Sequence, residues 1–150
     1  MISTKSTRTA PTILVADDDP FFRRLITYQL TKAGYQVLTA QDGRQAIDWL
    51  FQSQYKPDLV LLDLLMPQYS GMEVLARIKT LAYKLPVIMV SMAEEHIARE
   101  GVNGSGPDLF LKKPFAAGEL LASVRSMLLC AQTIERMAAF SQQKAASLTT

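Results

Sequence analysis

Five apolar runs, each bounded by turn residues, set the narrowest limits on what this chain can become. They are TILVA (12–16), YQVLTA (35–40), DLVLLD (58–63), PVIMVS (86–91) and LFLK (109–112). They are short and rich in Val, Ile and Leu, which suits strands buried on both faces rather than helices. Stretches of helical period separate them. Asp19 is placed to cap a first helix with Pro20 at its first position, and Phe22, Leu25, Ile26, Gln29, Leu30 and Ala33 follow one face until Gly34 stops it. Asp42 starts a second helix, with Ala46, Ile47 and Leu50 facing inward. Ser70 and Glu73 form a capping-box pair opening a third, with Val74, Ile78 and Leu81 on its buried side. A fourth helix around Ala93 to Glu100 is the weak one, and a fifth begins near Ala116 and runs long. Strands alternating with helices predict an α/β fold, a five-stranded parallel sheet covered on both faces.

In such sheets ligands sit beyond the carboxyl ends of the strands, at the topological switch point. The residues at those ends are unusual. Asp17, Asp18 and Asp19 follow the first strand, Asp63 the third, Ser91 closes the fourth and Lys113 follows the fifth. Adjacent carboxylates repel one another, at a cost on the order of 4 kcal/mol per close pair in a protein-like dielectric. Asp19 is accounted for as a helix cap. Asp17, Asp18 and Asp63 remain as an acidic pocket suited to a hard divalent cation, and Mg²⁺ takes one or two carboxylates while keeping several waters.

Four segments, LVADDDP, LLDLLMP, VIMVSM and LFLKKPF, occur in order and near-standard spacing, and together they resemble the signature of response-regulator receiver domains, the chemotaxis-regulator-like modules of two-component signalling. The resemblance covers Ile13 to about Leu128. It implies a flavodoxin-like doubly wound (βα)5 fold with strand order 2-1-3-4-5. It implies that Asp63 accepts a phosphoryl group from a phosphohistidine or a small phosphodonor. Asp18, Asp63 and the backbone carbonyl of Leu65 would hold Mg²⁺, with Asp17 contributing through water. Ser91 would offer its hydroxyl to a phosphoryl oxygen, and Lys113 would pair with the phosphate charge. Phe110 occupies the family's aromatic switch position, which plain core packing would fill equally well. The Lys113–Pro114 peptide is expected to be cis, a geometry that proline tolerates.

The implied partners are a sensor histidine kinase or phosphotransfer protein and a downstream protein effector. The domain is then a signalling switch rather than an enzyme, with at most slow self-dephosphorylation. The other reading is a pseudo-receiver, an interaction module that keeps the fold without being phosphorylated.

Some residues depart from the family pattern. Leu65 and Ala93 are apolar where many members carry side chains that orient a hydrolytic water, and Met92 is bulkier than the usual small neighbour of the hydroxyl residue. The segment REGVNGSGPDLF (99–110) holds three glycines, an asparagine and a proline, each poor in a helix, so a weak or shortened fourth helix is expected. His96 lies in that weak helix and is read as a surface residue.

Composition limits the surroundings. Hydrophobic residues make up 49% of the 150 and charged residues 20%, a globular balance. Net charge is +2, and Lys5 and Arg8 near the start carry that excess, so no direct nucleic-acid contact is expected. No apolar run approaches the roughly 18 residues of a membrane span, and no signal-peptide core follows Met1. No membrane association is expected. The single Cys130 suits a reducing cytosol, and a cytoplasmic location is expected.

The expected organisation is a disordered leader over 1–12, a receiver domain over 13–130, and a helical extension with a frayed tail over 131–150. Leu120, Val124, Met127, Ala131, Ile134 and Ala138 form a heptad-like seam. Its second half has no domain body beneath it. That predicts an extended fifth helix that pairs with a second copy or a partner helix through Val124, Met127, Ile134 and their neighbours, before SQQKAASLTT frays.

Overall fold

Five parallel strands hydrogen-bond in the order β2-β1-β3-β4-β5 in the computed structural model, which is described over residues 9–92 and 106–148. The strands are β1 (Thr12–Ala16), β2 (Gln36–Ala40), β3 (Leu59–Leu62), β4 (Val87–Ser91) and β5 (Leu109–Lys112). The helices are α1 (Pro20–Lys32), α2 (Gly43–Phe51), α3 (Gly71–Ile78) and α4 (Ala117–Ser147), the last being the helix expected as the fifth. The order is that of a flavodoxin-like α/β fold. The expected fourth helix, His96, Ala93 and most of the glycine-rich segment lie outside the described residues, as does the leader up to residue 8.

The period of two along each strand divides the core into two layers. Ile13 and Val15 of β1, Leu59 and Leu61 of β3, and Ile88 and Val90 of β4 face one side, against Ile26 and Leu30 of α1 and Leu120, Val124 and Leu128 of α4. Leu14, Val60, Leu62 and Met89 face the other, against Ala46 and Leu50 of α2 and Val74, Leu75 and Ile78 of α3. Fully burying each such aliphatic side chain is worth roughly 1.5–3 kcal/mol. Burial on both faces holds for β1, β3 and β4 but not for β2, where Gln36 and Thr39 are exposed, because β2 forms a sheet edge.

The caps are those that the sequence predicts. Asp19 accepts from the Phe21 amide, Asp42 from the Gln45 amide, and Ser70 and Glu73 close a full capping box. Gly34 ends α1 with φ +96°, a conformation that needs glycine.

The tail differs from expectation. The helix continues through Ser147, so the stretch from Ser141 is helical rather than frayed. Its Ala, Gln and Lys residues are good helix formers, and a helix already nucleated on the domain body propagates at little cost. Val124, expected on the pairing surface, is instead fully buried in the domain core, because the first half of the helix packs on the sheet. Burial ends with Leu128, and Ile134, Met137 and Phe140 are exposed. No helix among the described residues is long and apolar enough to cross a membrane.

Candidate functional site: an acidic pocket at the strand ends

Strand register assembles the site. Ala16 of β1 lies beside Leu62 of β3, so the next residues, Asp17 and Asp63, emerge side by side, and the Asp63 amide donates to the Ala16 carbonyl at 2.9 Å. Ser91 of β4 pairs in register with Lys112 of β5, and the Lys113 amide donates to the Ser91 carbonyl at 3.0 Å. The Lys113–Pro114 peptide that follows is cis. Asp17, Asp63, Ser91 and Lys113 are the buried polar residues among those described.

The loop after Asp63 folds back tightly. The Gly71 amide donates to the Leu64 carbonyl at 2.8 Å. A Cβ on Gly71 would collide with the Asp63 carbonyl oxygen, so only glycine lets α3 start this close to the site.

The Lys113 ammonium sits 2.6 Å from Asp17 Oδ2 and 3.5 Å from Asp63 Oδ2. Asp17 is the more heavily engaged carboxylate, because its Oδ1 also accepts the Asp19 amide at 2.9 Å. Asp63 is held more loosely, by the 3.5 Å contact from Lys113 and a 3.4 Å contact from the Leu65 amide to Oδ1. Burial, with the Asp17 charge adding to it, pushes the Asp63 carboxyl up to about 6 despite the lowering influence of Lys113. A buried carboxylate in that condition lacks positive charge.

Asp17, Asp18 and Asp63 each bring an oxygen within 4.8 Å of the others, with Asp18 the exposed member. Hard oxygen donors converging beside an under-neutralised carboxylate fit a divalent cation such as Mg²⁺.

Phe110, in register with Met89, is half-buried against the α2–α3 core. Leu65 and Met92 are mostly exposed.

Two participants are not evident from the sequence. Phe22, expected in the core, belongs to neither core cluster, and its ring lies 4.3 Å from the Lys113 ammonium. Arg23 donates from Nη1 to the Asp17 carbonyl at 2.8 Å. Their position one turn into α1 was the available signal, since Asp19 and Pro20 start that helix at the pocket.

Residues 13–125 match the family model described as response regulator receiver domain. The response regulator MprA of Mycolicibacterium vanbaalenii is 38% identical over 116 residues, 77% of this chain and 49% of that protein. The chain thus spans about half the length of the curated relatives it matches. Among solved structures, a response regulator receiver protein from Burkholderia phymatum is 32% identical with TM-score 0.68, covering 79% of this chain and 94% of that one. The receiver domain of an HD domain-containing protein from Pseudomonas fluorescens Pf-5 shares the fold with TM-score 0.79 at 23% identity, covering 90% of this chain and 98% of that one.

Proposed function

The chain belongs to the response regulator receiver family of two-component signalling, and within it we propose that Asp63 accepts a phosphoryl group and so switches a protein-interaction surface. The observation that carries this is the position of Asp63: buried, under-neutralised and flanked by Asp17, Asp18 and Lys113 at the carboxyl end of a parallel sheet.

An Asp63 carboxylate oxygen attacks phosphorus as the bond to the donor, the nitrogen of a phosphohistidine or the leaving oxygen of an acyl phosphate, breaks with its electron pair. The loose transition state asks mainly for positioning and charge neutralisation. Lys113 supplies a cation that pairs with phosphoryl oxygens, and Ser91 donates its hydroxyl to another. The remaining positive charge would come from Mg²⁺ held at the acidic pocket. Asp18, Asp63 and the Leu65 carbonyl are its proposed direct holders. Asp17, with both carboxylate oxygens already engaged, fits a role through water.

The product carries a charge of about −1.5 to −2 and three acceptor oxygens. Drawing Ser91 toward it opens the space into which Phe110 turns, a local charge change that biases a two-state element. Phosphorylated Asp63 is proposed to be long-lived, with no turnover of the enzymatic kind beyond slow self-dephosphorylation.

Residues 13–130 form the proposed receiver body and 131–150 its extension. The proposed partners are a histidine kinase or phosphotransfer protein, a protein effector, and a second copy of this chain. The cytoplasm is the proposed location. Ile134, Met137 and Phe140, spaced three residues apart, form the exposed apolar ladder proposed to pair with the same patch of a second copy.

The test is mass spectrometry after incubation with Mg²⁺ and acetyl phosphate. One acid-labile phosphoryl group is expected in the wild type and none in Asp63→Asn. A wild type that takes up none would be a pseudo-receiver, and a variant phosphorylated as fully as the wild type would remove Asp63 as acceptor.

A further inference from the structure

We propose that the ring of Phe22 is a positioning element for Lys113, holding its ammonium at the pocket when a cation takes over the carboxylates, a role that rests on Asp63 being the phosphoryl acceptor. The geometry is a cage with three sides: Asp17 at 2.6 Å, Asp63 at 3.5 Å, and the Phe22 ring face at 4.3 Å from its centroid. Lys113 is 5% exposed, so the ring attracts a largely desolvated cation, the condition in which cation–π attraction is strongest.

The two carboxylate sides and the aromatic side respond differently to a bound ion. A divalent cation among Asp17, Asp18 and Asp63 draws on the same negative charge that holds Lys113, and it repels the ammonium. The ring is uncharged, and its quadrupole is unaffected by what the carboxylates ligate. Lys113 therefore keeps one attractive side while it shifts from Asp17 toward an incoming phosphoryl oxygen. An aliphatic side chain of similar size would fill the space without that attraction.

The start of α1 places the ring beside the ammonium. Asp19 and Pro20 set the first turn of α1, and Phe21 packs edge-on against Phe22 with centroids 5.5 Å apart and planes at 80°. Among the described residues Phe22 is half-buried and belongs to neither core cluster.

The experiment uses the full chain carrying a series of fluorinated phenylalanines at position 22, which weaken the ring face progressively at nearly constant shape, beside Phe22→Leu and Phe22→Tyr. The rate of Asp63 phosphorylation by acetyl phosphate with Mg²⁺ should fall stepwise along the fluorine series. It should drop about thirtyfold in Phe22→Leu, the fold-change that matches the ~2 kcal/mol of a desolvated cation–π contact, and recover in Phe22→Tyr. In parallel, NMR of ¹³C-labelled lysine should show the Lys113 ε-methylene shifted by the ring current and still shifted at saturating Mg²⁺, with the shift lost in Phe22→Leu.

Rates unchanged across the fluorine series would overturn the proposal, and so would an ε-methylene that leaves the ring when Mg²⁺ binds. A wild type without phosphorylation would instead count against the phosphoryl-acceptor reading, and the Mg²⁺ titration alone would then decide the role of the ring.

Discussion

Lys113 gives its shortest ion pair to Asp17, at 2.6 Å, rather than to Asp63. The two residues are 96 positions apart in the chain and both almost fully buried. Breaking such a pair by deleting one partner typically costs 3–5 kcal/mol, because the other charge is left buried. Their pairing leaves Asp63 as the carboxylate with the least compensation, and that asymmetry governs how the pocket responds to pH and to a divalent cation.

Stability without a divalent cation should depend on Asp63. Its carboxyl titrates near its ordinary 3.8 in the unfolded chain and at about 6 when folded. Between those values the unfolded chain has released a proton that the folded chain keeps, so the contribution of Asp63 to stability falls as pH rises from about 4 to about 6 and stays lower above that. At ~1.4 kcal/mol per pH unit the loss is on the order of 3 kcal/mol at most. Asp63→Asn should therefore be more stable than the wild type at pH 8 in chelator and about equal to it near pH 4, as urea titrations at the two pH values would measure. A stability difference between Asp63→Asn and the wild type that stays constant across this window contradicts the assignment.

Magnesium should stabilise the folded protein through preferential binding. At free ion about tenfold above the dissociation constant the gain is about 1.4 kcal/mol. Asp18→Ala, an exposed substitution, should keep the fold but lose this response in a thermal melt. An undiminished Mg²⁺ response in the variant would take Asp18 out of the ligand set.

Phosphoryl lifetime should be long. Leu65 stands mostly exposed beside the acceptor and offers no hydrogen bond to an attacking water. Leu65→Asn should shorten the half-life of phosphorylated Asp63 by about tenfold, a modest share of what a well-placed polar group contributes to proton transfer and water orientation. Following the decay of the radiolabelled phosphoprotein tests this, and a wild-type lifetime of only seconds would count against it.

Association should run through the end of α4. Ile134 is 45% exposed and Met137 65%. Burying each is worth roughly 1.5–3 kcal/mol at most, since both are only partly hidden in the single chain. At concentrations low enough for the wild type to be monomeric, Ile134→Glu should leave the melting temperature within experimental error, as surface substitutions usually do. In analytical ultracentrifugation it should shift a concentration-dependent dimer to monomer. A wild type that sediments as a monomer at high concentration would show the ladder unused.

The chain by itself carried the local decisions. Strand placement was legible because a segment such as LVLL cannot be left in water, and the helix starts were legible because Asp19, Asp42 and Ser70 each satisfy amides that would otherwise lack partners. The chemically distinctive residues were legible too, since Asp17, Asp18, Asp63, Ser91 and Lys113 all stand where apolar runs stop. The relations among them were not. Which carboxylate Lys113 favours depends on the lateral register of β1, β3, β4 and β5, a set of contacts between residues far apart in sequence. Phe22 shows the same limit: its place on the face expected to point inward fits a core residue, and only the docking of α1 across the sheet end brings its ring to the ammonium. The persistence of α4 to Ser147 was likewise decided by structure, because a helix nucleated on the packed residues Leu120, Val124 and Leu128 extends through a stretch whose isolated helicity would be marginal.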